Sequence, residues 1–404
     1  MPRVAITGLG AVSALGPDVP SLWDGVVGGS VGIGPIANIP TDRLGVRIAA
    51  EVRGFDPARH FDPRRIPMLD RGTQFAVVSA REAMKDAGLS IAGGAAAQRA
   101  GVICGATAGW STLDESYDQF YGKGINRLHP LTIPRIMGNA AVSQITIEHG
   151  IRGPAFTISS ACASAAHAIG IAFQMVRSGA IDAAITGGSD ASIVPGVLKG
   201  WEALRVLSAD TCRPFSKNRS GLVIGEGAGA LVIENLEMAQ ARGARIYAEL
   251  VGFGMTADAH DMTAPDAASA GRAITDALTD AGIAPADVDY VNAHGTGTRL
   301  NDSTEVAALR SALGDHLRSV AVSSTKSMLG HALAAAGALE MIVTTLALHH
   351  GIIPPTMNSD QFDPECEIDR VPHEARRAAI DVAISNSFAF GGLNAVLVAR
   401  RVGP

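Results

Sequence analysis

Short apolar runs bounded by glycine recur from one end of the chain to the other: Val4–Thr7, Val102–Gly105, Ala183–Thr186, Ala230–Ile233, Ala248–Val251, Val288–Asn292, Val320–Ser323, Val382–Ser385 and Ala395–Val398. Their length and β-branched content fit strands buried on both faces. Helical segments lie between them. One begins near Asp70 and ends before Gly88, with Phe75, Val78 and Ala83 among its apolar positions. Another runs from about Cys162 to Arg177 and is closed by Gly179, a common residue just past a helix end. Others start near Ser269, Ser303 and Ala332. Alternation of this kind specifies an α/β fold.

With 404 residues the chain exceeds the size at which one core keeps growing, so two core units are expected. The strand–helix pattern appears both up to about residue 245 and after it. Two similar halves, 1–245 and 246–404, are therefore expected, although no sequence repeat links them. No low-complexity linker separates them, so they share one packed body. Aromatics make up 4% of the chain while glycine numbers 46, so the core must be built from small aliphatic side chains.

A net charge of −6 argues against a nucleic-acid binder and requires any acidic partner to meet a local basic patch. The four cysteines (Cys104, Cys162, Cys212, Cys366) show no CxxC and no histidine at ligand spacing, which speaks against a metal site or a disulfide framework. The opening MPRVAITGLG lacks a signal-peptide apolar stretch. The longest apolar run, Ala332–Leu348, is broken by Glu340 and falls short of a membrane span, so it reads as a buried helix. A cytoplasmic protein is expected.

Cys162 stands where a strand-like run, Thr157-Ile-Ser-Ser, gives way to a helix. A helix N-terminus presents free N–H groups and the positive end of the dipole, which favour thiolate over thiol. Small neighbours leave room for a substrate. On this segment alone, a buried structural cysteine is the commoner outcome. His167, on the same helix, reads as a satisfied core histidine.

Two further segments shift that balance. Asn292-Ala-His294-Gly-Thr296-Gly-Thr298 follows a strand and precedes a helix, and its glycines and hydroxyls imply a tight loop around one histidine. Ser323-Ser-Thr-Lys326-Ser-Met-Leu-Gly-His331 likewise leads from a strand into a helix. Each histidine then sits at a strand end, where open α/β sheets place their ligands. Taken singly, either could be structural. Lys326, in an apolar setting, needs an anionic partner, and Glu340 is the obvious one. Near the C-terminus, Asn386-Ser-Phe388-Ala-Phe390-Gly-Gly-Leu-Asn394 offers either a backbone turn whose N–H groups meet an oxyanion or a plain turn between strands.

Together these segments resemble the β-ketoacyl-acyl-carrier-protein synthases, in particular the type II elongation enzymes, over essentially the whole chain. The likeness runs from VAITGLGAVSALG through SACAS, RPFSKNRSGLVIGEGAG, NAHGTGT and STKSMLGHALAAAGALE to NSFAFGGLN. AGWSTLDESY, GVLKGWEALRVL and CRPFS are similar to the specialised nodulation branch of these enzymes. The resemblance implies a thiolase-like fold of two halves in five layers (αβαβα), normally a homodimer, with a heterodimer with a related ketosynthase as the other arrangement. It implies an acyltransferase in which Cys162 takes an acyl group from acyl-carrier protein. Decarboxylation of malonyl-carrier protein then supplies the carbanion that attacks the thioester, elongating a fatty-acid or polyketide-type chain.

The same resemblance assigns roles. His294 and His331 stabilise the enolate, Lys326 with Glu340 supports them, and the N–H groups of Cys162 and Phe390 meet the oxyanion. Thr296 and Thr298 hydrogen-bond the phosphopantetheine arm, and no cofactor beyond that arm is implied. Thr107, Trp201, Phe388 and Phe390 border the acyl pocket. Arg64, Arg65 and Arg205 form the carrier-protein patch, with plain solvated surface as the alternative for all three. Thr107 replaces a common isoleucine, Trp201 a phenylalanine and Asp261 a histidine, which implies a non-standard acyl chain.

Other readings have less behind them. A degradative thiolase needs a second cysteine where Asn386, Ser387 and Phe388 stand. A silent chain-length-factor partner lacks the nucleophile that is present here. A dinucleotide site from Gly8 and Gly10 fails because Ser13 holds the place of the third glycine. A cysteine protease leaves Lys326 and the second histidine without a task.

Overall fold

The computed structural model describes residues 2–91 and 93–403. Ten strands form its main sheet: β1 (Val4–Val12), β2 (Ala100–Gly105), β3 (Ala155–Ile158), β4 (Ala183–Asp190), β5 (Gly227–Asn235), β6 (Ala248–Ala257), β7 (Tyr290–Asn292), β8 (Ala321–Ser323), β9 (Val382–Ala389) and β10 (Leu393–Arg400). Their order across the sheet is β8-β7-β9-β10-β6-β1-β5-β4-β2-β3. Each expected apolar run lies within one of these strands or overlaps it, and the strand-like run before Cys162 overlaps β3.

The order hides a duplication. From β1 to β5 the sequence of neighbours is third, second, fourth, fifth, first, and from β6 to β10 it is the same. The directions match as well. In each set the first, fifth and fourth strands pair antiparallel, while the fourth, second and third pair parallel. The two sets join where Val4–Ile6 of β1 runs antiparallel to Ala248–Leu250 of β6. The similar halves lacking in the sequence are present in the topology.

Helices α1 (Arg71–Ala87), α2 (Ser164–Arg177), α3 (Ala267–Ala281), α4 (Arg299–Leu313) and α5 (Ala336–His350) complete the layers. α1 covers the outer face of β1 and β5, α3 covers β6 and β10, and α4 packs on α3. α2 and α5 lie against each other between the two halves of the sheet. The result is the five-layer thiolase-like arrangement. Local signals set the helix ends: the Asp70 carboxylate accepts the Gly72 N–H at the start of α1, and Gly88 closes it at φ +57°.

The low aromatic content has its reason in these layers. A Cβ on Gly10 of β1 would lie 1.9 Å from the Ser79 carbonyl of α1. A Cβ on Gly254 of β6 would lie 2.2 Å from the Ala273 carbonyl of α3. Helices thus rest directly on strand backbone, at matching places in the two halves. The Leu333–His350 segment meets the length and hydropathy of a membrane span, unlike the expectation from Glu340, but 89% of it is buried within the fold. Leu339, Ile342 and Val343 of α5 are fully enclosed, each contributing roughly 1.5–3 kcal/mol by burial.

Both central helices begin in the same way. A short 3-10 turn, Ala161–Ala163 before α2 and Leu333–Ala335 before α5, opens on a residue in the left-handed region. Those residues are Ala161 (φ +48°) and Leu333 (φ +47°). Cys162 occupies the first turn and Ala334 the same place in the second.

Candidate active site

Cys162 lies at the inner end of a cavity of about 590 Å³ that also reaches His294, His331, Thr296, Thr298, Trp201, Phe388 and Phe390. Its sulfur and a ring nitrogen of each histidine lie within 4.8 Å of one another. The imidazole planes cross at 85°, with centroids 5.4 Å apart. Three segments distant in sequence therefore converge on one point: Cys162 and His294 lie just past the ends of β3 and β7, and His331 follows the short helix Lys326–Leu329 after β8.

His294 follows β7. The Glu305 carboxylate on α4 accepts the N–H groups of His294 (2.8 Å) and Gly295 (2.7 Å), and Asn386 donates to it at 3.1 Å. His331 follows β8 and the left-handed Gly330 (φ +63°), and its N–H donates to the Val223 carbonyl at 2.7 Å. Among the described residues neither ring nitrogen of His331 has a hydrogen-bond partner.

Lys326 is buried and ion-paired with Glu340, as the apolar setting required. Its Nζ also donates to the His294 carbonyl at 2.6 Å and lies 3.3 Å from His294 Nδ1. An ammonium can only donate, so Nδ1 must accept and Nε2 carries the ring hydrogen. Burial, then the Lys326 charge and the neighbouring His331, hold His294 well below the usual imidazole range. Burial and Lys326 do the same for His331. Both rings are neutral at physiological pH.

Cys162 departs from the expectation for a helix start. Burial pushes its thiol up to about 11, against the opposing pull of Lys326 and of the Phe390 and Cys162 N–H groups. The sulfur sits in the turn ahead of α2, out of water, and desolvation of a thiolate outweighs the helix end. The resting group is a thiol flanked by neutral bases. The two backbone N–H groups that favour charge at the sulfur belong to Cys162 and Phe390, the pair expected at an oxyanion. Phe390 is set by the turn at Gly391 (φ +86°) and Gly392 (φ +69°).

Thr296 and Thr298 hydroxyls are 3.0 Å apart on the cavity wall. Trp201 stacks on Phe390 with ring centroids 5.9 Å apart. Arg205 and Asp261 also border the cavity. Thr107 does not: its hydroxyl donates to Asp190 at 2.9 Å and accepts from the Trp110 indole at 2.8 Å. Nor do Arg64 and Arg65 reach it; Arg65 pairs with Glu148 at 2.7 Å and covers the Phe61 ring. Sequence reading passed over Leu204, Met262, Arg299 and Leu300, which border the mouth, and Glu305 beneath the His294 loop. An exposed Leu300 (62%) carries no signal until its neighbours are known.

The chain is similar over its length to proteins of one family. The β-ketoacyl synthase N-terminal domain matches residues 1–239 and the β-ketoacyl synthase C-terminal domain residues 247–360. Nodulation protein E of Rhizobium sp. (strain N33) is 45% identical over 401 residues, 99% of each chain. The 3-oxoacyl-[acyl-carrier-protein] synthase 2 of Staphylococcus aureus (strain N315) is 44% identical over 407 residues, 99% of this chain and 98% of that one. The ishigamide ketosynthase/chain length factor structure superposes with a TM-score of 0.94 at 38% identity, covering all of both chains. A type II polyketide ketosynthase solved with its acyl-carrier protein superposes at 0.91 with 32% identity, again over the full length of both. With Cys162 and two neutral imidazoles closing one cavity, and both domains matched in order, the chain belongs to the β-ketoacyl synthase family.

Proposed function

We propose that this chain condenses an acyl group held on Cys162 with a malonyl unit delivered by acyl-carrier protein, giving a β-ketoacyl-carrier protein. The observation that carries the proposal is the meeting of one thiol and two neutral imidazoles within 4.8 Å. In the first half-reaction the Cys162 sulfur attacks the acyl thioester, its proton passing by way of an imidazole to the departing phosphopantetheine thiolate. In the second, the bond between the malonyl carboxylate and Cα breaks, carbon dioxide leaves, and the electron pair forms an enolate. His294 Nε2–H and His331 donate to that enolate oxygen. The carbanion carbon attacks the acyl carbonyl, whose oxyanion meets the Cys162 and Phe390 N–H groups, and the Cys162 thiolate departs and regains a proton.

The roles of the remaining residues belong to the same proposal. Lys326 and Glu340 fix the tautomer and field of His294. Thr296 and Thr298 bind the phosphopantetheine arm, and the reaction needs no other cofactor. Trp201, Phe388 and Phe390 border the acyl group, while Thr107 acts on it only through Asp190 and Trp110. Arg205 at the mouth is the foremost carrier-protein contact, with Arg64 and Arg65 farther out. We divide the chain near residue 245 into a half carrying the nucleophile and a half carrying the histidines, and we assign it to the cytoplasm, where all four free thiols would persist.

Assembly as a homodimer is also proposed. β3 pairs on one side only, Phe156 on it is exposed, and the neighbouring helix Ala140–His149 exposes Ile147. An apolar sheet edge of that kind fits a second copy of the chain, or a related ketosynthase, better than water.

Intact-mass spectrometry after incubation with a panel of acyl-carrier proteins tests the function. One acyl mass added at Cys162, and none in Cys162→Ala, is the expected result. Acylation elsewhere, or none with any chain, overturns the assignment.

A further inference from the structure

The two elbows are built alike and held differently. Counting from Ala161 (φ +48°) and Leu333 (φ +47°) pairs Cys162 with Ala334, Ser160 with Ala332, Ser164 with Ala336 and His167 with Leu339. Both turns are closed by the same backbone bond, from the Ala163 N–H to the Ser160 carbonyl at 3.1 Å and from the Ala335 N–H to the Ala332 carbonyl at 2.9 Å. At the first, the Cys162 N–H faces the sulfur and has to stay free for an oxyanion. Side chains can hold the left-handed turn as well.

Three side chains around it do so. Ser164 Oγ accepts the Ser160 N–H at 2.9 Å and donates to the Ala161 carbonyl at 2.7 Å. His167 Nδ1 lies 2.9 Å from Ser160 Oγ and 3.1 Å from the Ala163 carbonyl. A carbonyl only accepts, so Nδ1 carries the hydrogen and reaches across to both residues that flank Ala161-Cys162. The counterparts Ala332, Ala336 and Leu339 have no hydrogen-bonding side chain at all. The polar groups are thus present only at the elbow that bears the nucleophile, which is not what filling a core requires.

We propose that Ser160, Ser164 and His167 form a clasp that holds the nucleophile turn in its left-handed form without using the Cys162 N–H. His167 is then a positioning residue for the sulfur and has no part in decarboxylation at His294 and His331. The proposal rests on Cys162 being the nucleophile.

The test compares His167→Ala, Ser160→Ala and His167→Asn with the parent chain. Two rates are measured: alkylation of Cys162 by iodoacetamide, read from the mass of its peptide, and carbon dioxide release from malonyl-carrier protein. His167→Ala should slow alkylation by about tenfold or more, since a small misplacement of a reacting group is costly. Ser160→Ala should slow it less. His167→Asn, whose side-chain N–H replaces Nδ1–H, should recover most of the rate. Carbon dioxide release should stay within about twofold throughout, as its groups lie on other segments. Unchanged alkylation in His167→Ala, a parallel fall of both rates, or no recovery in His167→Asn each overturns the clasp. A parent chain that alkylates at Cys162 but releases no carbon dioxide would instead count against the condensing reaction, leaving the alkylation comparison intact.

Discussion

Lys326 Nζ touches His294 twice, lying 2.6 Å from its carbonyl oxygen and 3.3 Å from its ring Nδ1. One ammonium thus fixes where the loop runs and which ring nitrogen carries hydrogen, while Glu340 balances its charge. Replacing it with methionine should have two effects. The buried Glu340 carboxylate loses its partner, at a cost of about 3–5 kcal/mol in urea unfolding. The positive charge that disfavours imidazolium also disappears, so the acid limb of malonyl decarboxylation should move to higher pH. A pH profile identical to that of the parent would separate Lys326 from the histidines.

The site titrates in two widely separated ranges. Burial and Lys326 hold both imidazoles well below 6.5, so the decarboxylating groups stay neutral as pH falls to 6.5 and below. Carbon dioxide release should therefore be flat on the acid side of neutrality. Cys162 alkylation should instead rise with pH toward about 11, because burial disfavours its thiolate until then. An alkylation rate that levels off near neutral pH would mean a thiolate already formed.

Sheet and helix meet without side chains between them at Gly10, so Gly10→Ala forces the Ser79 carbonyl away from a Cβ that would lie 1.9 Å from it. A loss of roughly 1–3 kcal/mol or more is expected in thermal unfolding. Gly200, in the helix Pro195–Ala203, has nothing within 4 Å of its virtual Cβ. Gly200→Ala should stabilise by up to about 1 kcal/mol. Equal effects of the two changes would remove the packing explanation.

Trp201 stacks on Phe390 over the cavity. Trp201→Ala should favour bulkier or longer acyl chains by about tenfold in a competition between acyl-carrier proteins, since pocket volume discriminates by a few kcal/mol at most. An unchanged order of preference would place the acyl chain elsewhere.

What was legible in the sequence follows a physical line. Strand runs, the ends of α1 and the loops holding His294 and His331 are set by residues adjacent in the chain, and they lie where those residues direct. The need of Lys326 for Glu340 was legible because a lone buried charge is too costly to leave unpaired. The ionisation of Cys162 was not, because a helix start is visible locally while burial is a tertiary fact. The setting of Thr107 was not legible, because Asp190, distant in sequence, holds its hydroxyl away from the cavity. Two similar halves are expected from the strand–helix pattern, but no repeat marks them in sequence because the duplication lives in strand order and in two left-handed turns, with Ala334 where the nucleophile would be.

The most direct measurement is a pair of assays on Cys162→Ala, following β-ketoacyl product and carbon dioxide from malonyl-carrier protein side by side. Loss of all condensation with carbon dioxide release retained or raised is the predicted result, since the sulfur holds the acyl group and the imidazoles perform the decarboxylation. Condensation at near the parent rate would contradict the account at its centre.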